Sequence, residues 1–344
     1  MKEIRLKESR IVFGEYLFHL ERFLGKKKSV FIFDENVWKI YGRSLDTPYV
    51  IRIEGREKNK SLKTIQDIYR KLLKFETDRD TWLIGVGGGV ILDITGFVGS
   101  TFMRGISFGF VPTSLLAQVD ASIGGKNGVN FSGIKNVIGT VTQPSFVVID
   151  PKFLETLPHE EWENGFAEII KHGIIGNRTL FETLEHLPLP ELKDKELLRD
   201  IIYESLLVKS AIVEKDEKDN GERKKLNFGH TFGHAIETTC NLSHGRAISV
   251  GMLLELKFSL KWGVLSPEEA SKIKKVLDKF GLPVDFKPSF RKIVRRIKAD
   301  KKRENDLITI VLIERIGCSK LEKVKLKALE EVFDGLCKHR RCIY

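Results

Sequence analysis

Cysteine is scarce in this chain, and the four that occur, Cys240, Cys318, Cys337 and Cys342, all lie late in the sequence. Their spacing fits neither a zinc ribbon nor a disulfide framework, so free thiols are expected. No stretch approaches the roughly 18 uncharged apolar residues of a membrane helix. The N-terminus, MKEIRLKESR, has no apolar core of the kind a signal peptide needs. A cytoplasmic protein without a membrane partner is therefore expected. Glutamine occurs only at Gln66, Gln118 and Gln143 while Lys and Glu are abundant, a bias shared with proteins of hot environments. Helix-turn-helix, zinc-finger and RNP patterns are missing too. That absence matters because the formal charge is +11, with nine Lys/Arg against one Asp from Lys287 to Arg303. Without a reading motif, the run is expected to be a solvated helix face, and nucleic acid is not expected as a partner. The remaining use of excess positive charge is an anionic small molecule.

What is present describes a folded protein of two domains. A length of 344 residues is ample for a buried core, and 42% hydrophobic with 31% charged residues excludes disorder. Short apolar runs at Ser29–Phe33, Tyr49–Ile53, Thr81–Val86, Ser107–Val111 and Phe146–Ile149 read as strands. Helical spacing separates them, near Glu35–Tyr41 and over Leu62–Phe75, where Leu62, Ile65, Ile68 and Leu72 share a face. Strand–helix alternation predicts an α/β domain with a mainly parallel sheet. After Asp150 the pattern becomes mainly helical, at Leu197–Lys215, Ala247–Trp262 and Pro267–Phe280, with only Leu307–Ile313 strand-like. Pro151 and Pro158 punctuate the change. The expected division is residues 1–155 and 156–344, and a cleft between two such domains is a common place for an active site.

Two segments of the first half are too polar and too small for a core. Thr81–Val86 runs into Gly87, Gly88 and Gly89 and then a helix carrying Asp93. Glycines let backbone approach a phosphate, and a helix N-terminus offers unpaired N–H groups and partial positive charge. The sequence is GGGVILD, not the GxGxxG dinucleotide fingerprint, and a tight turn without a ligand is the plain alternative. Further on, VPTSLLAQVDASIGGKNGVN gathers Thr113, Ser114, Asp120, Ser122 and Lys126. That is costly in a core and useful in a site, with an ordinary surface loop as the alternative.

The second half carries a metal-ligand pattern. LNFGHTFGHAIE followed by LSHG brings His230, His234 and His244 close in sequence. On a helix, His230 and His234 share one face with Glu237. Upstream, GFAEIIKHG places Glu168, Lys171 and His172 at i, i+3 and i+4. One glutamate with two histidines suits a catalytic zinc with open positions. Spacing alone cannot pick the ligands: it favours His230 with His234, and the other split open to it is His230 with His244 on the metal and His234 on the substrate.

In chain order, GGGVILDITGF, FMRG, PTSLLAQVDASIGGKNGVN, GIKNVIGT, FLETLP, GFAEIIKHG, EKDEKDNGERKKLNFGHTFGHAIE and HGRAISVGM resemble the 3-dehydroquinate synthase family of sugar-phosphate cyclases, from about residue 84 to 252. A weaker echo follows at Ala299–Lys302. The resemblance implies a divalent metal, zinc or cobalt, on Glu168, His230 and His244, with His234 facing the substrate. It makes the α/β domain a Rossmann-like nucleotide-binding domain, with NAD contacts implied at Gly87, Gly88, Gly89, Asp93, Thr113, Ser114, Lys126, Lys135, Asn136, Phe153 and Thr156, and less closely at Glu57 and Lys60. Substrate groups would be Asp120, Lys126, Lys171, Lys209, Arg223, Asn227, His234 and one of Lys301 and Lys302. Arg104 would reach toward the phosphate of a partner subunit in a homodimer. Two departures are visible: Leu92 stands where the family often has glycine, and Ser114 where it usually has a second threonine.

The implied activity closes 3-deoxy-D-arabino-heptulosonate 7-phosphate to 3-dehydroquinate with release of phosphate, a lyase step toward aromatic amino acids. It proceeds by transient NAD oxidation, β-elimination, re-reduction and an intramolecular aldol step. A second sugar-phosphate cyclase activity is one alternative and a metal-dependent polyol or glycerol dehydrogenase another. Against the dehydrogenase stand Lys126, Lys171, Lys209 and Arg223, which a neutral polyol has no use for.

Overall fold

The structure is a computed structural model and describes residues 2–285, 293, 295, 296, 307–325 and 327. Cys337, Cys342, Lys301, Lys302 and most of the basic run 287–303 lie outside the described residues. In chain order the elements are β1 (Glu3–Leu6), β2 (Ser9–Phe13), α1 (Tyr16–Leu24), β3 (Ser29–Asp34), α2 (Glu35–Tyr41), β4 (Val50–Ile53), α3 (Leu62–Lys74), β5 (Trp82–Gly87), α4 (Gly89–Thr101), β6 (Phe108–Pro112), β7 (Lys126–Phe131), β8 (Ile134–Val141), β9 (Phe146–Ile149), α5 (His159–Gly176), α6 (Arg178–His186), α7 (Lys195–Lys215), α8 (His230–Cys240), α9 (His244–Lys261), α10 (Pro267–Lys279), β10 (Leu307–Arg315) and β11 (Cys318–Lys325). No described helix is long and apolar enough to cross a membrane. Contacts divide the chain into two compact units, one of residues up to Gly165 with Leu192–Lys218, the other of Phe166–Glu191 with the chain from Asp219 onward. Helix α7 thus folds with the first unit although it follows residue 156.

The first unit is built on a seven-stranded sheet of order β1-β2-β9-β6-β5-β3-β4. Only the β1–β2 pair is antiparallel; β2–β9, β9–β6, β6–β5, β5–β3 and β3–β4 are parallel. Its central strands are buried on both faces, which is why they read as unbroken apolar runs: Val30, Ile32 and Phe33 in β3, and Leu83, Ile84 and Val86 in β5, are all inaccessible. Helix α3 lays Ile65, Ile68 and Leu72 on the core, and the Ser61 side chain caps it by accepting the Thr64 N–H. The chain passes from β3 to β4 on one side, then returns to β5 on the other side of β3. The order in which strands are added therefore reverses between the parallel neighbours β3 and β5, and ligands of open α/β sheets bind beyond strand ends at such a point.

Three hairpins were not foreseen: β1–β2, β7–β8 and β10–β11. Residues 126–130, expected in a polar site segment or loop, form most of β7, paired with β8 around a two-residue turn at Ser132 and Gly133, both with positive φ. The strand expected at Leu307–Ile313 is β10, and its partner β11 makes the second unit more than helical. That unit's core joins Phe232 and Ile236 of α8, Val250, Leu254 and Phe258 of α9, and Ile308, Ile310 and Leu312 of β10. Helices α8 and α9 cross closely because Gly251 has no side chain: a Cβ there would stand 1.9 Å from the Gly229 carbonyl oxygen.

Candidate active site

Each unit carries a cluster of the residues singled out above. In the first unit, β5 ends at Gly87 and α4 begins at Gly89, with Gly88 as an N-cap that offers no side-chain hydrogen bond. The Ile91 N–H turns back to Gly88 O at 3.0 Å, and the Gly89 and Val90 N–H groups at the helix start point outward for another acceptor. Space is held open there: a Cβ at Gly88 would meet nothing nearer than the Ser114 Oγ at 3.5 Å. Thr113 is tied to the same turn through its N–H, which donates to Gly87 O at 3.0 Å. One turn into α4, Asp93 pairs with the buried ammonium of Lys60. Burial raises the Asp93 carboxyl to about 6, against the opposing pull of Lys60.

Asn130, absent from the expected site, ties this cluster together. Its N–H donates to Lys60 O at 2.8 Å, its Nδ2 to Glu57 Oε1 at 2.8 Å, and its Oδ1 accepts the Asn136 N–H at 2.9 Å. Glu57, Lys60, Asp93 and Asn136, which are far apart in sequence, thus form one network. Asp120 lies in the turn Ala117–Ala121, and the Lys209 Nζ of α7 donates to its Oδ1 at 2.6 Å. Lys126 and Lys135 are exposed on the β7–β8 hairpin, and Arg104 is exposed in the turn Phe102–Arg104 with φ 69°. Phe153 is a core residue against Tyr16 and Tyr41, and Thr156 Oγ1 lies 3.3 Å from the Tyr41 hydroxyl.

In the second unit, Glu168 of α5 is wholly buried. His230 Nε2 and His244 Nε2, at the first positions of α8 and α9, lie 3.5 and 3.4 Å from its Oε1. One ligand atom from each of the three lies within 4.8 Å of the others. His234 is outside that set; its Nδ1 stands 3.7 Å from Glu237 Oε2 and its side chain is 63% exposed. The second nitrogens are oriented as well: His230 Nδ1 is 3.2 Å from Phe228 O, and His244 Nδ1 is 3.8 Å from Glu237 Oε2. Such partners fix which imidazole nitrogen keeps its lone pair. Lys171, one turn along α5, pairs with the other oxygen of Glu168. Arg223 is buried in the turn Glu222–Asn227, and Asn227 at its end is exposed.

The charges of this cluster are tightly set. Burial works to raise Glu168, but Lys171, His230 and His244 overcome it and hold the carboxyl well below the usual range. Burial, with the charge of Lys171, pushes His230 down to about 3, so its imidazole is neutral near pH 7. His244 goes the other way: burial opposes the charge, yet Glu168 and Glu237 draw it up to about 9. The cluster favours positive charge beside a buried carboxylate and a neutral ring nitrogen. A donor set of two imidazoles and one carboxylate fits a divalent zinc or cobalt ion.

A family model of the 3-dehydroquinate synthase N-terminal region matches residues 50–164, and one of the C-terminal region matches residues 165–303. The 3-dehydroquinate synthase of Thermodesulfovibrio yellowstonii is 43% identical over 316 residues, covering 88% of each chain. That of Pyrococcus furiosus is 45% identical over 291 residues, covering 83% of this chain and 84% of its own. Among solved structures, 2-epi-5-epi-valiolone synthase of Streptomyces hygroscopicus, with NAD+ and Zn2+ bound, superposes with a TM-score of 0.86 at 25% identity, over 98% of both chains.

Proposed function

The chain belongs to the 3-dehydroquinate synthase family, and on that premise we propose that it cyclises 3-deoxy-D-arabino-heptulosonate 7-phosphate to 3-dehydroquinate and phosphate with NAD and one divalent metal. The observation that carries the reading is the convergence of Glu168, His230 and His244 beside Lys171. When bound, NAD supplies reversible hydride acceptance and the ion supplies Lewis-acid polarisation of substrate oxygens.

The chain's own residues do the rest. Glu168, His230 and His244 hold the ion. Gly87, Gly88 and Gly89 admit the cofactor's phosphates to the N-terminus of α4. Asp93 accepts from a ribose hydroxyl, kept in place by Lys60. Thr113, Ser114, Lys135, Asn136, the main chain at Phe153, and Thr156 complete that contact. Lys126, Lys171, Lys209, Arg223 and Asn227 bind the substrate's carboxylate and phosphate. Arginine can do so with two parallel bonds and lysine as a point charge. Asp120, paired with Lys209, orients a substrate hydroxyl. His234 has Nδ1 turned to Glu237, which leaves Nε2 to move a proton.

A homodimer acting in the cytoplasm is part of the same reading, with Arg104 serving the neighbouring subunit. Phe131, Ile134, Val137 and Val141 of the β7–β8 hairpin are all more than half exposed, the apolar surface a second copy would cover. Ile134→Glu is expected to shift the sedimentation of the protein from dimer to monomer; a wild-type monomer would remove the dimer from this reading. The activity itself is tested by incubating the protein with the heptulosonate phosphate, NAD and zinc. Inorganic phosphate and dehydroquinate in equal amounts are expected. Oxidised substrate that keeps its phosphate, with matching NADH, would instead mark a dehydrogenase.

A further inference from the structure

Glu255 lies in α9, three turns beyond His244, and is wholly buried. Both of its oxygens accept backbone N–H groups: Oε1 from Gly229 at 3.1 Å and Oε2 from Val311 of β10 at 3.1 Å. Nothing in the reaction described above uses this carboxylate. A buried charge held only for packing would be an expensive choice where an apolar side chain would fill the space.

The Gly229 bond reaches further than its own residue. That N–H belongs to the Phe228–Gly229 peptide, and the same peptide's carbonyl, Phe228 O, lies 3.2 Å from His230 Nδ1. The described chain has no cis peptide bonds. The N–H and C=O of a trans peptide point in opposite directions from one rigid plane. Glu255 therefore grips one edge of the plane and the imidazole of His230 sits on the other. A carboxylate on the N–H polarises the amide and makes its oxygen a stronger acceptor. That favours a proton on Nδ1 and keeps the Nε2 lone pair aimed at the side where Glu168 Oε1 lies, 3.5 Å away.

The next peptide, Gly229–His230, is held in place as well. Gly229 is left-handed, with φ 79° and ψ −21°, and its carbonyl accepts the Gly233 N–H at 2.8 Å to start α8. Gly251 of α9 packs against that carbonyl so closely that no Cβ fits. We infer that Glu255 is a positioning residue for His230, fixing its tautomer and ring direction through the Phe228–Gly229 peptide. This rests on the reading that Glu168, His230 and His244 hold a divalent ion.

The competing account is that Glu255 merely satisfies the outer edge of β10. Ser259, one turn further along α9, does only that: its Oγ accepts the Ile313 N–H at 3.0 Å. Ser259→Ala is therefore the control. In Glu255→Gln one oxygen remains to accept, while the amide NH2 faces the other N–H. The test measures zinc affinity of the full-length protein by competition with a chromophoric chelator, alongside thermal unfolding without metal. Both variants are expected to unfold earlier. Glu255→Gln is expected to bind zinc about tenfold more weakly or worse, in the range of lost outer-sphere partners, while Ser259→Ala keeps the wild-type affinity. Equal zinc affinity in the two variants overturns the inference and leaves the metal reading standing. A wild-type protein indifferent to zinc, or His230→Ala binding it as tightly, overturns both. Should Glu255→Gln fail to fold, the imidazole 15N spectrum of the zinc-loaded wild type decides, with His230 assigned through His230→Asn. A proton on Nδ1 of His230 is expected, and a proton on Nε2 overturns the inference.

Discussion

On the proposed reading, the glycine turn of the first unit and the histidine cluster of the second would recognise their ligands by opposite means. The turn works by leaving things out: no side chain at Gly87, Gly88 or Gly89 and no cap on the first N–H groups of α4. The cluster works by crowding, with a buried carboxylate, two imidazoles and an ammonium in contact. A site made of backbone should be sensitive to added volume and tolerant elsewhere. A site made of converging side chains should fail when any one of them is lost. The comparison teaches that, if the two clusters hold the two cofactors, each cofactor should be removable without the other.

The largest effect is expected from His230→Ala. Removing one of three ligands should weaken zinc by more than the 10–100-fold typical of an outer-sphere loss, and activity with it. NAD affinity, followed by quenching of protein fluorescence, should stay at the wild-type value. Equal loss of NAD would mean that the two clusters are not separable.

Asp93→Ala comes next and strikes the buried ion pair beside the backbone-built turn. It leaves Lys60 buried without its carboxylate, and losing one member of a buried ion pair costs about 3 kcal/mol. Urea denaturation should show that loss, and Lys60→Met added to Asp93→Ala should restore most of it. NAD binding should not return in the double variant. If it does, Asp93 belongs to the fold and not to the cofactor.

Gly88→Ala is the mildest change and the most discriminating. Its φ of −74° suits alanine, and the new Cβ would touch only Ser114 Oγ at 3.5 Å. Stability should be unaltered. A methyl where phosphate approaches backbone should weaken NAD roughly tenfold, about 1.4 kcal/mol, without touching zinc affinity. Unchanged NAD affinity would break the claim that this turn works by empty space.

How much of this was legible in the sequence follows from the same contrast. The parallel strands were readable because burial on both faces leaves unbroken apolar runs, as in Ser29–Phe33 and Phe146–Ile149. The glycine turn was readable because its chemistry is contiguous. The three hairpins were hidden because their strands carry charge or small polar residues, as in Glu3–Leu6, Lys126–Phe131 and Cys318–Lys325. One signal was available and passed over: Ser132–Gly133, a two-residue turn between β-branched and aromatic residues. In the histidine cluster, spacing counted positions along α8 and so favoured His234. The structure instead gathers the first residues of two helices around α5, a tertiary fact that no periodicity contains. Asn130 and Glu255 act through backbone groups of remote segments, and neither type nor spacing marks them out.

The central claim is that NAD is a resident catalyst in a reaction that expels phosphate. Its most direct test supplies about one NAD per hundred substrate molecules to the zinc-loaded protein and follows phosphate release and absorbance at 340 nm together. The account predicts phosphate released far in excess of the NAD present, with no net accumulation of NADH. Phosphate release that stops at one equivalent of NAD, or NADH that rises in step with product, would contradict it.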